Sequence, residues 1–180
     1  MIKREVEVFP YSPEWENSFN RELALIKELF GKNEVGIYHI GSTSVPGLSA
    51  KPIIDVLIEV ETLRMMDLVT QDMERAGYEA KGENGIAGRR FFQKSNKNGV
   101  RLYHVHAFKK GNPEIERHLV FRDYLRTHPE KAAKYAKVKQ QAAARNPYDI
   151  ETYMIEKEPI IKELEQEALR WRLNTKKRQL

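Results

Sequence analysis

The stretch 52–60, PIIDVLIEV, narrows the fold more than any other part of the chain. It is an apolar run of strand length, interrupted only by Asp55 and Glu59. Such a strand is covered on both faces, so the sheet that holds it has layers packed on each side. An ionised carboxylate inside it is costly to bury unless it is paired, bound to metal or near an open edge. Asp55 therefore has two readings. In one it lies near the strand end, in a salt bridge with a surface arginine. In the other it is the centre of a functional site.

The rest of the chain supplies the layers. Ser12-Pro13-Glu14 reads as a helix start, and Trp15, Phe19, Leu23, Ile26 and Phe30 follow at helical spacing until Gly31. Residues 37–40 are a short strand candidate, and the Gly/Ser/Pro-rich stretch 41–50 is too irregular to continue it. Thr62 is expected to cap a second helix that ends at Gly77. Residues 89–94 and 100–108 read as a hairpin about the turn Asn96-Lys97-Asn98-Gly99. Beyond Asn112-Pro113 the pattern is helical. Thr127-His128-Pro129-Glu130 has capping-box spacing, Asn146-Pro147 interrupts, Asp149 caps again, and Pro159 is expected to kink or break the last helix. This order implies an α+β fold with a mixed or antiparallel sheet, flanking helices and a helical C-terminal part. The expected division is an α/β core over 1–112, helices over 113–172 packed on the same core, and a basic tail at 173–180.

Composition excludes several chemistries. There is no cysteine, hence no disulfide, thiolate metal site or cysteine nucleophile. No apolar run reaches the roughly 20 residues of a membrane span, and the N-terminus has no apolar signal core, so a cytoplasmic location is expected. The net charge of +5 favours anionic partners.

The segment from His39 through Gly41-Ser42-Thr43-Ser44 to Lys51 and Asp55 resembles the signature of the GrpB-like family, in the nucleotidyltransferase fold group that includes DNA polymerase beta. Phe121 to Arg126, His128-Pro129-Glu130, Tyr135, Lys139, Tyr153 and Lys157 extend the resemblance, which runs from about Val8 to about Leu169. It implies a nucleotidyltransferase-like sheet, with Gly41, Ser42, Thr43 and Ser44 holding nucleotide phosphates. It also implies Asp55 as the catalytic carboxylate and ligand of a divalent metal, Mg, Mn or Zn. Lys51, Arg122 and Lys157 are the cations it points to for phosphate. Family members also occur fused to a coenzyme A biosynthetic kinase, which points to a nucleotide-like small molecule.

One departure matters. The fold group pairs two carboxylates as Asp-x-Asp or Asp-x-Glu, and position 57 here is Leu57. Glu59 shares the strand face of Asp55 but lies about 13 Å along it, too far to bind the same ion. His104 and His106 stand two apart in a strand and face one way. Beside Asp55 they would complete a transition-metal site; otherwise they hydrogen-bond at a sheet edge. The pocket is expected to be electropositive, with Lys51 and at least one of Arg89, Arg90, Arg122 and Lys157 at its rim.

Three function classes remain open. The first is a metal-dependent nucleotidyl or phosphoryl transferase acting on a nucleotide or similar phosphate-bearing molecule. The second is a non-catalytic nucleotide- or metal-binding module, which accommodates Leu57. The third is an RNA-binding protein, for which a basic patch with interleaved aromatics is lacking.

Overall fold

The structure, a computed structural model, describes residues 5–177; Met1 to Arg4 and the tail residues Arg178, Gln179 and Leu180 lie outside the described residues. The chain runs α1 (Glu14–Phe30), β1 (Gly36–Ile40), a 3-10 turn (Ser42–Ser44), β2 (Ile54–Val60), α2 (Leu63–Arg75), β3 (Tyr78–Ala80), β4 (Arg89–Ser95), β5 (Arg101–Lys109), α3 (Pro113–Thr127), α4 (Pro129–Arg145) and α5 (Ile150–Lys177). The fold is α+β. Its five-stranded sheet has the order β1-β2-β5-β4-β3. β2 and β5 pair in parallel and the other neighbours pair antiparallel, so the sheet is mixed.

Strand alternation sorts β2 onto two faces. Ile54, Val56, Ile58 and Val60 meet α1 and α2 through Trp15, Phe19, Ile26, Phe30, Met66 and Met73. Asp55 and Leu57 point to the opposite face, where Leu57 packs with Ile40, Phe108 and Ile115. On that side α3, α4 and α5 build their own core, which takes in Val45 and Leu48 from the Gly/Ser/Pro-rich loop. The C-terminal helices are thus docked on the loop beside Asp55.

Several local details differ from expectation. Thr62 occupies the N-cap of α2 but makes no side-chain cap bond. Thr127 ends α3 and donates its hydroxyl back to the Asp123 and Tyr124 carbonyls, so the capping box never forms and His128 stands at the N-cap of α4. Pro159 lies inside a continuous α5, so the helix does not break there. It sits on an exposed position, where solvent satisfies the carbonyl it leaves free. β3 was not evident, because three residues show no period. The helix α5 also runs through Lys177, so the tail expected from 173 is helical as far as it is described.

Asn112 shows what a working cap looks like: its side chain accepts a 2.9 Å bond from the Glu114 amide, with Pro113 at the first helical position. Asn112→Ala is expected to cost about 1 kcal/mol of stability, whereas Thr62→Ala is expected to be near neutral. Urea denaturation midpoints of the two variants check the contrast.

Candidate functional site

The site is built where β1 ends. Gly41 turns the chain with φ 72°, and a Cβ there would lie 2.5 Å from Asp55 Oδ2. Glycine is therefore required twice, for its backbone angle and for contact with the carboxylate. The 3-10 turn that follows is closed by Ser44 N to Gly41 O at 3.1 Å and Val45 N to Ser42 O at 3.2 Å. Ser44 Oγ donates to Gly41 O, and Thr43 Oγ1 bonds His39 Nε2 at 2.9 Å. His39 stacks on Phe19, and its burial pushes its pKa down to about 4, so it is a neutral structural histidine.

The C-terminal helices hold this loop from behind. Arg126 donates twice to Ser44 O, at 2.9 and 2.7 Å, and Arg122 donates to His39 O at 3.1 Å. Arg122 is further engaged by Asp123. Both arginines line a cleft on the Thr43-Ser44 side, away from Asp55. Arg122 thus positions the loop from the back. Lys139 works on the front. Its Nζ donates to Ser42 Oγ at 2.8 Å and to Ser49 O at 2.6 Å.

A cleft of about 260 Å³ opens between Ser42, Thr43, Asp55 and His104 on one side and Lys51, Lys139, Tyr153 and Lys157 on the other. Lys51 and Lys157 flank the Tyr153 ring at 5.9 and 4.9 Å from its centroid. The lysine ion pairs among the described residues all involve other lysines. Burial pushes the Lys139 ammonium down to about 7, with Lys157 adding repulsion, and pushes Lys157 down to about 8. Lys51 is lowered by burial too, with Asp55 opposing the shift. Three cations thus share a cleft with one carboxylate. Arg89 and Arg90 are elsewhere: Arg89 donates to the Glu83 and Asn84 carbonyls, and Arg90 pairs with Asp67.

Asp55 is held by the two histidines, as parallel pairing of β2 with β5 sets it beside His104. Its Oδ1 lies 3.3 Å from His104 Nδ1 and 3.6 Å from His106 Nε2. The outer nitrogen of each ring faces a guanidinium: Arg101 Nη1 is 3.3 Å from His104 Nε2, and Arg89 Nη1 is 3.3 Å from His106 Nδ1. Arginine can only donate, so each outer nitrogen must accept, and each inner nitrogen carries the proton aimed at Asp55. Burial pushes the Asp55 carboxyl upward, but the bonds from His104 and His106 outweigh it and hold it below the usual carboxylate range.

This chemistry does not suit the metal that the family resemblance implies. A ligating histidine offers its lone pair to the ion and donates its other N–H to an acceptor. Here the outer partner is itself a donor, so the inner lone pair is not available. Among the described residues no three His, Cys, Asp or Glu side chains are placed to hold a metal ion. The expected Asp55–His104–His106 metal set is therefore a cluster of charge-dipole contacts at 3.3 and 3.6 Å. Glu59 borders clefts at the far end of β2, and Leu57 is fully buried in the place of the second carboxylate.

In the sequence Lys139 stands out only as part of the family resemblance. Its signal was positional: Ala132, Tyr135, Ala142 and Ala143 define the buried face of α4, and Lys139 falls on that face, 2% exposed. The roles of Arg89 and Arg101 on the histidines carried no sequence signal, since they depend on strand register.

Among the described residues no helix is long and apolar enough to cross a membrane. Comparison with known proteins connects this site to relatives. UPF0157 protein YqkA of Bacillus subtilis (strain 168) is 48% identical over 170 residues, which span 94% of this chain and 49% of that protein. The chain therefore spans about half the length of that curated relative. A protein named dephospho-CoA kinase from Mycolicibacterium paratuberculosis is 27% identical over 191 residues, covering 92% of this chain and 46% of that one. The crystal structure of conserved protein GrpB from Enterococcus faecalis superposes with a TM-score of 0.88 at 43% identity, covering 93% of this chain and 99% of that one. Residues 5–167 match the family described as GrpB protein, a span that contains the loop, Asp55, both histidines and all three lysines of the cleft. With nearly the whole described chain inside that match, the protein belongs to the GrpB family.

Proposed function

We propose that this chain binds the phosphate end of a small molecule of the nucleotide type, and that lysines rather than a divalent cation compensate the phosphate charge. The observation that carries the reading is the convergence of Lys51, Lys139 and Lys157 on one cleft against the single carboxylate of Asp55. A phosphate there gains charge-assisted bonds from ammonium groups that make no close ion pair among the described residues and face one carboxylate between three. Ser42 presents its hydroxyl beside Lys139, and Gly41 lets the backbone run close to Asp55. The similarity to a protein named dephospho-CoA kinase and the resemblance to the nucleotidyltransferase fold group both favour a nucleotide-like ligand.

Metal-dependent nucleotidyl or phosphoryl transfer needs a second carboxylate beside Asp55, and Leu57 fills that position. The geometry therefore favours a phosphate-binding module whose cations act directly on phosphoryl oxygens. Calorimetry with inorganic pyrophosphate in EDTA tests this. Binding is expected to persist in EDTA, and Lys157→Ala is expected to weaken it about tenfold or more. Asp55→Asn is expected to tighten it, because a repelling charge is removed. A metal-bridged ligand gives the opposite pattern: EDTA and Asp55→Asn would both abolish binding, and that result would sink the reading.

A further inference from the structure

Next to the lysine cleft runs a second groove of about 540 Å³. The two share Lys51, Ile53 and His104 as a common wall, so they adjoin. Their characters differ. The groove is walled by Phe9, Val100, Tyr148 and Ile150, which are 41%, 51%, 55% and 43% exposed. Met154, 50% exposed, borders the cleft. Five of the nine large hydrophobic side chains exposed among the described residues thus gather around these two adjoining spaces. Clustered exposed apolar groups mark a binding surface, whereas scattered ones do not.

The charged groups of the groove are of both signs. Lys51, which belongs to the shared wall, and Arg101 are its cations, and Glu5 and Glu7 its carboxylates. Phe9 is fixed in place by paired bonds with Ala50, each 2.9 Å, at the end of the Gly/Ser/Pro-rich loop. The groove therefore keeps its position relative to Ser42.

Resting on the phosphate reading of the lysine cleft, we infer that this groove is the base subsite for a single nucleotide: the phosphate lies among the lysines and the base lies on Tyr148 and Ile150. A planar apolar group with amino or ring N–H donors suits it, because aromatic and aliphatic walls take the faces and the carboxylates of Glu5 and Glu7 accept from the edge. The same carboxylates oppose a polymer. A nucleic-acid strand continuing through the groove would carry its next phosphate toward Glu5 and Glu7, where the field repels it. The two spaces together fall in the size range of small-molecule sites, roughly 300–1,000 Å³.

The experiment is calorimetric titration of the whole protein with AMP, GMP, CMP, UMP, ribose 5-phosphate, inorganic pyrophosphate and a short oligoribonucleotide. At least one nucleoside monophosphate is expected to bind about tenfold tighter than ribose 5-phosphate. The oligonucleotide is expected to bind no tighter than that monophosphate. Tyr148→Ser and Ile150→Asp, both at exposed positions, are expected to melt like wild type, keep pyrophosphate affinity and lose the preference for the base. If all four monophosphates match ribose 5-phosphate while pyrophosphate binds, this inference falls and the phosphate reading stands. If the variants keep the base preference, or weaken pyrophosphate equally, the groove is not the subsite. If the oligonucleotide binds tighter, the ligand is a polymer. If pyrophosphate itself fails to bind, both readings fall.

Discussion

Gly41→Ala is expected to lose about 3 kcal/mol of stability together with anion binding. Two costs add. At φ 72° and ψ −175° an alanine enters a region essentially reserved for glycine, at a cost of about 1–3 kcal/mol. Its Cβ also lies 2.5 Å from Asp55 Oδ2 and 3.2 Å from both Asp55 Cβ and Cγ. No flexible end can swing aside, because Asp55 is a short side chain tethered to His104 and His106. Overpacking of this kind costs a further 1–3 kcal/mol, roughly. Gly47→Ala is the control: φ is 81° and nothing lies within 4 Å of the added carbon, so only the backbone cost applies. Thermal melts of the two variants separate the terms. Gly41→Ala is expected to melt well below Gly47→Ala, and Asp55→Ala introduced beside it is expected to recover part of the loss. Equal melting temperatures would show that Asp55 yields freely, and the tight contact would carry no weight.

The second large effect concerns Lys139. Its unfolded ammonium releases a proton near 10.4, and its folded one near 7, because burial disfavours the charge. Between these values the unfolded chain binds more protons than the folded one, so stability rises as pH rises. Below pH 7 both states are protonated and the folded protein carries the whole cost of a buried charge. Lys139→Met removes that cost. It gives up bonds to Ser42 Oγ and Ser49 O but is expected to gain a net stabilisation of about 2 kcal/mol at pH 6. The advantage is expected to shrink steadily toward pH 10, where wild type has shed the proton. Anion binding runs the other way. It needs the ammonium, so it weakens as pH climbs through 7 and then through 8 as Lys157 also deprotonates. The variant is expected to bind pyrophosphate about 30-fold more weakly at pH 6. Melts from pH 6 to pH 10, paired with calorimetry, read both slopes. A stability gap that stays constant or widens with pH would refute a proton-releasing Lys139. A lysine that weakens the fold and strengthens binding is what a functional position looks like.

How far the sequence leads depends on the range of each interaction. The run 52–60 announces a strand covered on both faces, and the period of two puts Asp55 and Leu57 together. The same period puts His104 on the face of His106, but that their strand lies beside β2 is seen only in the sheet order. Gly41 is legible as a turn, but the contact that requires it, with Asp55, appears only once β1 and β2 are in register. The capping box failed where two helices abut: Thr127 donates its hydroxyl to carbonyls of its own preceding turn instead of accepting from an amide of the next helix. Pro159 failed to interrupt α5 because it faces solvent, and a local rule cannot tell which side of a helix is wet. The metal expectation rested on ligand type alone. Two imidazoles and a carboxylate form a plausible set on paper, and only the guanidinium groups of Arg101 and Arg89 behind the rings decide which nitrogens carry protons.

The loop of the site is fastened by residues far along the chain: Lys139 reaches Ser42 across 97 positions and Arg126 reaches Ser44 across 82. On the ribosome, Asp55, both histidines and the whole Gly/Ser/Pro-rich loop are synthesised before any of those helices exists. The Ser44 and His39 carbonyls wait without their arginines, and the parallel pairing of β2 with β5 already joins residues about 50 positions apart. Such high contact order is slow to satisfy. The cleft is therefore complete only once α3, α4 and α5 have docked. A ligand of the lysines binds only the finished chain, so by mass action its presence in the cell favours the docked helices over every partially synthesised or partially unfolded form.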